Sequence, residues 1–409
     1  MPSINNSQLV QRAIPSVPVL SMASFRGAVA MGNETAWLPS LLDGAQVRLV
    51  TSGRVAIGLA LQALGVGKGD LVLVPAYHSP SMIPPVHWRG AEVVFYRVNA
   101  DTTADLSDIA AKLDGKVKAI MVTHFFGIPQ DLAALRALCD ERGIGLLEDC
   151  AHCFYGEREG VQVGSTGDYA IGSSMKFFPI YEGGCLVSHR HPLNVELHPA
   201  GMGFEAKAAL SALEASFSYG RLHGVRLALA LPLRVRSLIW NAVKAHQAHQ
   251  PAADSAGLAP SSSDSSYDFD ARWADKRSSW FSRTVMGRAA RSRIVTRRRR
   301  HYQALQQALV GAPGWRPLFA ALPAGACPWV FPLLAERPAA LFEALQAAGV
   351  PMVRFGAVLW PGVDDSICGN SAMLGRCLIA LPCHQELSDQ ELVWLATTVR
   401  QALQETACA

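Results

Sequence analysis

The sequence lacks the long apolar segments that mark membrane and secreted proteins. No window reaches the ~18 uninterrupted apolar residues of a membrane-spanning helix. Residues 1–19 have no basic start followed by a long apolar stretch, which a secretory signal requires. We therefore expect a cytoplasmic protein. Membrane association is the less expected alternative, motivated by residues 221–250, where basic and apolar side chains mix as in interfacial helices. Pro232 interrupts this stretch, which favours a packed pair of helices.

Strong net charge and a regular cysteine pattern are also missing. The formal net charge is only +4 over 409 residues, which argues against a nucleic-acid-binding protein. The four arginines at 297–300 lack interleaved aromatic residues. We expect them to form a solvated helix face or to supply charge for nucleotide phosphates. The nine cysteines have no regular spacing, which predicts reduced core residues. Cys150 and Cys153 form a CxxC pair without a second pair, so we expect no metal site.

What the sequence does contain is a regular alternation of short apolar strands with helices. Half of the 409 residues are hydrophobic and 17% are charged, which is enough for a large domain, a smaller one and a substantial core. The alternation predicts an α/β fold with a mostly parallel sheet. The predicted strands are 47–50, 71–75, 92–98, 119–123, 145–148 and 169–171, and the predicted helices between them are 55–64, 82–89, 106–113 and 132–142.

Composition divides the chain into four predicted parts. Residues 1–45 are poorly patterned and are expected to form an N-terminal arm, and residues 46–250 are expected to form the large domain. Residues 251–290 contain a Ser/Ala/Pro/Asp-rich stretch at 252–266 and are predicted to be a flexible loop or linker. Residues 291–409 alternate helices with strand-like pieces, which predicts a smaller C-terminal α/β domain.

Several polar residues fall at the carboxyl ends of the predicted strands, where ligands bind in open parallel sheets. Ser52 and Gly53 lie between a strand and a helix, where backbone N–H groups at the helix start bind phosphate. An ordinary helix N-cap at Ser52 is an equally good interpretation. The other residues at strand ends are Tyr77, His78, His124, Asp149 and His152.

Lys176 is a single lysine among serines, aromatics and a proline. Apolar surroundings disfavour the ammonium form and lower the pKa of a lysine, as a Schiff-base lysine requires. The alternative is a lysine that extends from a loop into solvent. Asp149 ends a buried strand, and a buried carboxylate needs a partner, such as a protonated pyridine nitrogen. The phosphate loop, the aspartate and the lysine together predict a pyridoxal phosphate (PLP) enzyme.

Six short motifs in order resemble those of the fold-type-I sugar aminotransferases of the DegT/StrS family, over roughly residues 49–187. They read Ser52-Gly53-Arg54, Val74-Pro75-Ala76-Tyr77-His78, His124-Phe125-Phe126-Gly127, Glu148-Asp149-Cys150-Ala151-His152, Gly164-Ser165-Thr166-Gly167-Asp168, and Lys176 with Glu182-Gly183-Gly184 six residues later. Near the C-terminus, Ala380-Leu381-Pro382-Cys383-His384 resembles the closing motif of the family. The resemblance implies fold-type-I PLP-enzyme architecture, with a mostly parallel seven-stranded sheet in the large domain and a smaller C-terminal α/β domain.

The resemblance also implies catalytic roles. Lys176 would hold the PLP cofactor as a Schiff base (an aldimine) and shuttle the proton. Asp149 would pair with the ring nitrogen of the cofactor. His152 would approach the phenolic oxygen of the ring, and a structural histidine at a strand end is the alternative for it.

Further residues would bind the cofactor without reacting. Ser173, with Ser174 as the alternative, would contact the phosphate, as would Ser52 and the backbone of Gly53 and Arg54. Either Tyr77 or His78 would cover the face of the ring, and for both of them a structural role is an equal alternative.

By this resemblance, the chain would move an amino group from glutamate or glutamine to a keto group of a nucleotide-linked sugar or a similar polyol. It would act on small molecules as a homodimer, without nucleic acid. Three departures leave alternatives open. The family has Thr at the position of Arg54 and a polar turn in place of Phe177-Phe178-Pro179, and its Asn-Tyr-Arg loop has no clear counterpart between Gly203 and Trp280. One alternative is a PLP-dependent lyase, decarboxylase or carbon–carbon bond-forming enzyme for a small amino acid. The other is a non-catalytic or membrane-peripheral protein of the same fold.

Overall fold

The computed structural model of the protein describes residues 14–28, 37–229 and 268–408. The Ser-rich stretch 252–266 and most of 221–250 lie outside the described residues. Among the described residues, no helix combines the length and the apolar character needed to cross a bilayer. The eight cysteines with described side chains are all free thiols, and seven of them are buried. The predicted position of the cysteines in the core is therefore confirmed for these seven.

A seven-stranded sheet forms the centre of the N-terminal half. Its spatial order is β1-β9-β8-β5-β4-β2-β3, and within this sheet β9 runs antiparallel to the other six strands. The predicted α/β fold with a mostly parallel seven-stranded sheet is thus confirmed. The strands are β1 (Gln46–Val50), β2 (Leu71–Pro75), β3 (Glu92–Tyr96), β4 (Val117–Thr123), β5 (Gly145–Asp149), β8 (Tyr169–Ser173) and β9 (Gly184–Ser188), and the short β6 (Glu157–Arg158) and β7 (Val161–Gln162) pair with each other.

Helices cover this sheet, which is why its central strands are runs of apolar residues buried on both faces. The first helix packs directly on β8 and β9. Side chains cap the starts of two helices, because Ser52 accepts a hydrogen bond from the Val55 amide and Asp105 accepts one from the Asp108 amide. The helices are α1 (Gly53–Ala63), α2 (Pro84–Trp88), α3 (Leu106–Lys112), α4 (Ala133–Arg142), α5 (Met202–Ser218) and α6 (His223–Ala228).

The C-terminal part contains a second, smaller sheet of three antiparallel strands, β10 (Trp315–Pro317), β11 (Val330–Ala335) and β12 (Leu378–Pro382). Its helices are α7 (Trp280–Arg288), α8 (Arg291–Leu309), α9 (Pro338–Ala347), α10 (Asp365–Cys377) and α11 (Asp389–Cys408). Helices α8, α9 and α11 pack around a hydrophobic cluster that includes Leu305, Phe331, Leu381 and Leu395. The smaller C-terminal α/β unit is therefore also present.

Residues 268–290 differ from the flexible linker that composition predicts for 251–290. They contain α7, whose first turn is capped by the Ser279 side chain. The Ser278 and Ser279 hydroxyls also donate hydrogen bonds to the buried carboxylate of Glu182, at 3.0 and 2.8 Å. Serines that suggest a loop in the sequence are thus fixed by a buried acid almost a hundred residues earlier in the chain.

Candidate active site

A cavity opens at the carboxyl ends of β5 and β8, beside the start of α1. It encloses about 670 Å³ of space, including its open mouth. Seven residues singled out in the sequence line it together: Ser52, Gly53, Arg54, Asp149, His152, Ser173 and Lys176. The fold thus brings strand-end residues from separate motifs to a single site.

The first turn of α1 forms one wall of the cavity. Ser52 is its N-cap, with the Val55 amide donating to Ser52 Oγ at 3.3 Å. Amide groups in the first turn of a helix have no partner within the helix, and they attract anions. The N-cap and the anion-site interpretations of Ser52 are therefore compatible. Ser173 lies close to this turn, since a Cβ placed on Gly53 would lie 3.7 Å from the Ser173 Cβ.

Asp149 is a buried carboxylate at the last residue of β5. Its Oδ1 accepts a hydrogen bond from the Ala151 amide at 2.9 Å, and Thr123 Oγ1 donates to its Oδ2 at 3.3 Å. Burial raises the pKa of Asp149, while these hydrogen bonds and the charge of Lys176 lower it. The carboxylate would gain from a further positive partner in the cavity.

His152 packs against a cluster of aromatic rings. Its ring centroid lies 3.9 Å from that of Trp329 and 5.8 Å from that of Phe126. Burial, followed by the charge of Lys176, holds the pKa of His152 well below its usual range, so the ring is neutral at pH 7. Its Nδ1 is buried and has no hydrogen-bond partner among the described residues. This imidazole therefore keeps one polar atom available to a molecule in the cavity.

Lys176 ends a short 3₁₀ turn, Ser174–Lys176, that follows β8. Its Nζ lies 4.6 Å from the centre of the Trp329 ring, in a cation–π arrangement. Burial lowers the pKa of Lys176 to about 8, although the charge of Asp149 opposes this shift. The side chain therefore lies in the cavity rather than extending into solvent from a loop. With this pKa about a tenth of the amine is uncharged at pH 7, which is far more than for an exposed lysine.

The structure corrects the prediction that Tyr77 or His78 covers the cofactor ring, because neither lines the cavity. Both are fully buried behind it. Tyr77 donates a hydrogen bond from its hydroxyl to the Phe355 carbonyl at 2.8 Å, and His78 Nε2 accepts one from the Trp360 amide at 3.0 Å. A strand-end position brings these residues near the site, but the side chains turn towards the C-terminal segment.

Residues that the sequence does not single out also line the cavity, among them Ser79, Ser81, Met82 and Phe355. Ser174 is buried in the turn before Lys176 and is not part of the lining. Its hydroxyl has no hydrogen-bond partner within the described part of the chain. The role predicted for Ser174 as an alternative phosphate contact stays a prediction.

His124 and Glu148 belong to the motifs found in the sequence, but their hydrogen bonds indicate a structural role. His124 Nδ1 accepts a hydrogen bond from the Gln130 amide, so its Nε2 carries the proton and donates to Glu148 at 2.8 Å. Glu148 also accepts hydrogen bonds from three backbone amides, of Gly164, Thr166 and Gly167. Together with Cys150 these residues lie close enough to hold a metal ion. However, both carboxylate oxygens are already engaged, which favours a structural role.

The arginine run differs from the predicted solvated face. Arg298 is fully buried, and its guanidinium donates to backbone carbonyls of Lys176, Pro328 and Trp329. Trp329 and Arg298 are the two most important residues that sequence reasoning missed. The signals available were weak: a single tryptophan before an apolar strand, and one arginine in a run of four.

Residues 41–197 match the sequence model of the DegT/DnrJ/EryC1/StrS aminotransferase family. The chain is similar to GDP-perosamine synthase of Vibrio cholerae, with 36% identity over 143 residues, or 34% of this chain and 39% of that protein. It is also similar to the L-glutamine:2-deoxy-scyllo-inosose aminotransferase of Streptomyces paromomycinus, with 32% identity over 169 residues and 40% of each chain. The matches thus span about two fifths of the length of these relatives.

Solved structures resemble the chain over most of its length. An aminotransferase from Streptoalloteichus hindustanus has a TM-score of 0.60 at 22% identity, covering 88% of this chain and 87% of that one. A DegT/DnrJ/EryC1/StrS aminotransferase from Brucella abortus has a TM-score of 0.58 at 20% identity, covering 88% and 86%. A Streptococcus pneumoniae protein in its PLP form has a TM-score of 0.60 at 17% identity, covering 88% and 87%. At these identities the likeness establishes the fold.

Proposed function

We propose that this chain, whose residues 41–197 belong to the DegT/DnrJ/EryC1/StrS aminotransferase family, is a PLP-dependent aminotransferase. The single observation that carries the proposal is the meeting of Lys176, Asp149 and the start of α1 in one cavity. A lysine amine with a lowered pKa, a buried carboxylate and a helix N-terminus are the groups that a pyridine aldehyde with a phosphate requires.

The residues present fit this cofactor. The first turn of α1, with Ser52 and Ser173, would hold the phosphate. The carboxylate of Asp149, whose pKa is raised by burial, would face the ring nitrogen. The unpartnered Nδ1 of His152 would meet a polar atom of the ring. The amine of Lys176 would bind the aldehyde carbon.

The bound cofactor would act as an electron sink for the bond that is labilised at the substrate's amino carbon. Residues of the chain would supply proton transfer, charge and packing around the cofactor. Lys176, with a pKa of about 8, can release and accept a proton at its Nζ near neutral pH. Asp149 supplies fixed negative charge in a buried position, where charge interactions are strong. Trp329, His152 and Phe355 pack against one another as an aromatic cluster beside Lys176.

We infer that the amino donor is glutamate or glutamine and that the acceptor is a keto group of a nucleotide-linked sugar or a similar polyol. The names of the relatives support this inference, because they include a synthase of a GDP-linked amino sugar and a glutamine-dependent aminotransferase of a deoxyinosose. Their matches cover only part of each protein.

The test is a two-step incubation of the purified protein with PLP. Glutamate or glutamine is added first and the corresponding 2-oxo acid is measured by mass spectrometry, and keto sugar nucleotides are then added. The proposal predicts about one equivalent of 2-oxo acid per site in the first step and an aminated sugar in the second. Release of carbon dioxide or cleavage of a small amino acid, without 2-oxo acid from either donor, would instead favour a lyase or decarboxylase.

We further propose a homodimer, a cytoplasmic location and a division into a large domain at 46–250 and a smaller one at 291–409. The two separate sheets support the division. Large apolar side chains that remain exposed, such as Trp37, Met202 and Trp280, support an interface with a second copy. Size-exclusion chromatography with light scattering would test the dimer.

A further inference from the structure

One buried arginine binds the backbone of both Lys176 and Trp329, two residues whose side chains are in contact beside the cavity. Arg298 lies on α8 and is 0% exposed. Its Nη2 donates to the Lys176 carbonyl at 2.7 Å, and its Nη1 donates to the Pro328 and Trp329 carbonyls, both at 3.1 Å. Its plane lies over the Phe177 ring, with the central carbon 4.4 Å from the centroid. The same residue therefore holds the backbone of Lys176 and of Trp329.

Gln385, which follows β12, completes this arrangement. Arg298 Nε donates to Gln385 Oε1 at 2.8 Å, and Gln385 Nε2 donates to the Phe177 carbonyl at 2.8 Å. Two successive carbonyls of the lysine-bearing turn, those of Lys176 and Phe177, are thus bound by side chains from the C-terminal part of the chain. Arg298 and Gln385 are together called the lysine clamp below.

Stability alone is a weak reason to bury this charge. Moving a charged group out of water costs several kcal/mol, and apolar residues of similar volume often replace buried charges without loss of stability. The four acceptors of Arg298 are a glutamine side-chain oxygen and three backbone carbonyls, so none of them carries a formal negative charge. What arginine provides here is a rigid planar fork of donors that fixes several acceptors in one geometry.

The clamped carbonyls belong to residues whose side chains are in contact. Lys176 Nζ lies 4.6 Å from the centre of the Trp329 ring, which in turn stacks on His152 at 3.9 Å. We propose that Arg298, supported by Gln385, is a positioning residue that fixes the Lys176 amine against Trp329 inside the cavity. The proposal rests on the proposed function, since it assigns the clamp to the lysine on which that function depends.

Loss of the clamp has a defined consequence for Lys176. A looser turn lets the amine reach water, which raises the pKa of Lys176 towards its ordinary value. Removal of the positive charge of Arg298 acts in the same direction, because it favours the ammonium form. The two causes are separated by Arg298→Lys, which keeps the charge but cannot span all four acceptors.

The experiment compares Arg298→Met, Arg298→Lys and Gln385→Met with the wild-type chain. Arg299→Met is the matched control, because Arg299 lies next on α8 and donates to the Pro323 and Ala326 carbonyls, which belong neither to the turn that carries Lys176 nor to Trp329. The first readout uses the full chain without cofactor. Lysines are reductively methylated with ¹³C-formaldehyde, the Lys176 signal is assigned with Lys176→Ala, and its pKa is measured by NMR titration.

The second readout is steady-state kinetics of the loaded enzyme. We expect Arg298→Met and Arg298→Lys to raise the pKa of Lys176 and to lower kcat by ~10- to 100-fold, with the donor KM changed far less. Gln385→Met should also raise the pKa of Lys176 and lower kcat, but by a smaller amount than the Arg298 variants. Arg299→Met should match the wild type in both readouts.

Three outcomes would overturn the proposal. The first is a folded Arg298→Met protein, shown by circular dichroism, with the lysine pKa and kcat of the wild type. The second is an Arg298→Lys protein that equals the wild type while Arg298→Met does not, which would assign the effect to charge. The third applies if Arg298→Met does not fold. In that case the proposal is overturned when Arg298→Lys and Gln385→Met both have the lysine pKa and the kcat of the wild type. Because the lysine titration needs no cofactor, it can succeed or fail independently of the aminotransferase proposal.

Discussion

Replacing Gly184 by alanine should disturb the wall of the cavity that α1 forms. A Cβ on Gly184 would lie 2.3 Å from the Ser52 carbonyl carbon and 2.6 Å from the Gly53 nitrogen. Ordinary contacts begin near 3.4 Å, so β9 and the start of α1 would have to separate by about 1 Å. The neighbouring atoms are backbone and cannot rotate away. Overpacking of this kind typically costs ~1–3 kcal/mol of unfolding free energy.

The same displacement moves the turn that is proposed to hold the phosphate. We therefore expect the dissociation constant of PLP to rise by ~10-fold or more, since displacements near 1 Å strongly affect site function. Urea unfolding of the cofactor-free protein gives the first quantity, and titration with PLP gives the second. Gly115→Ala is the control, because a Cβ there meets nothing within 4 Å. If Gly184→Ala matched both Gly115→Ala and the wild type, the packing argument for this wall would be wrong.

Two further predictions concern ionisable groups. The rate at which the cofactor-free protein binds PLP should increase as the pH rises through about 8, because the pKa of Lys176 lies there and the free amine is the reactive form. Stopped-flow measurements give this rate. A rate that stays constant across this pH interval would contradict the role of Lys176 as the amine that binds PLP. Glu148→Gln should lower the unfolding free energy by ~1–3 kcal/mol, because an amide NH₂ would face the donors that Glu148 now accepts from. Equilibrium urea unfolding measures this loss, and an unchanged midpoint with an unchanged slope would show that the carboxylate is dispensable.

The fold could be predicted from the sequence wherever the local pattern is strong. The run Leu71–Pro75 is predicted as a strand and is β2 in the structure, with the same bounds. Lys176 was identifiable as a single lysine among serines, aromatics and a proline, and Asp149 as a carboxylate at the end of a buried strand. Parallel strands then place their carboxyl ends at one edge of the sheet, so proximity of these residues followed from topology alone.

The rest of the site depends on contacts between distant segments. Arg298 and Trp329 contact Lys176 from helix α8 and from the residue before β11, more than a hundred residues after Lys176, and no local pattern marks their partners. Tyr77 illustrates a second limit of prediction from the sequence. Its strand-end position was predicted correctly, but the direction of its side chain is set by the Phe355 carbonyl, which lies 278 residues away in sequence.

The visible spectrum of the purified protein with added PLP tests the central claim most directly. We predict an absorbance band near ~420 nm, which PLP shows when it is joined to a lysine amine, and loss of this band when glutamate or glutamine is added. Lys176→Ala should lack the band while remaining folded. A wild-type protein that shows no such band, or a Lys176→Ala protein that shows the same band, would contradict the assignment of Lys176 and with it the proposed function.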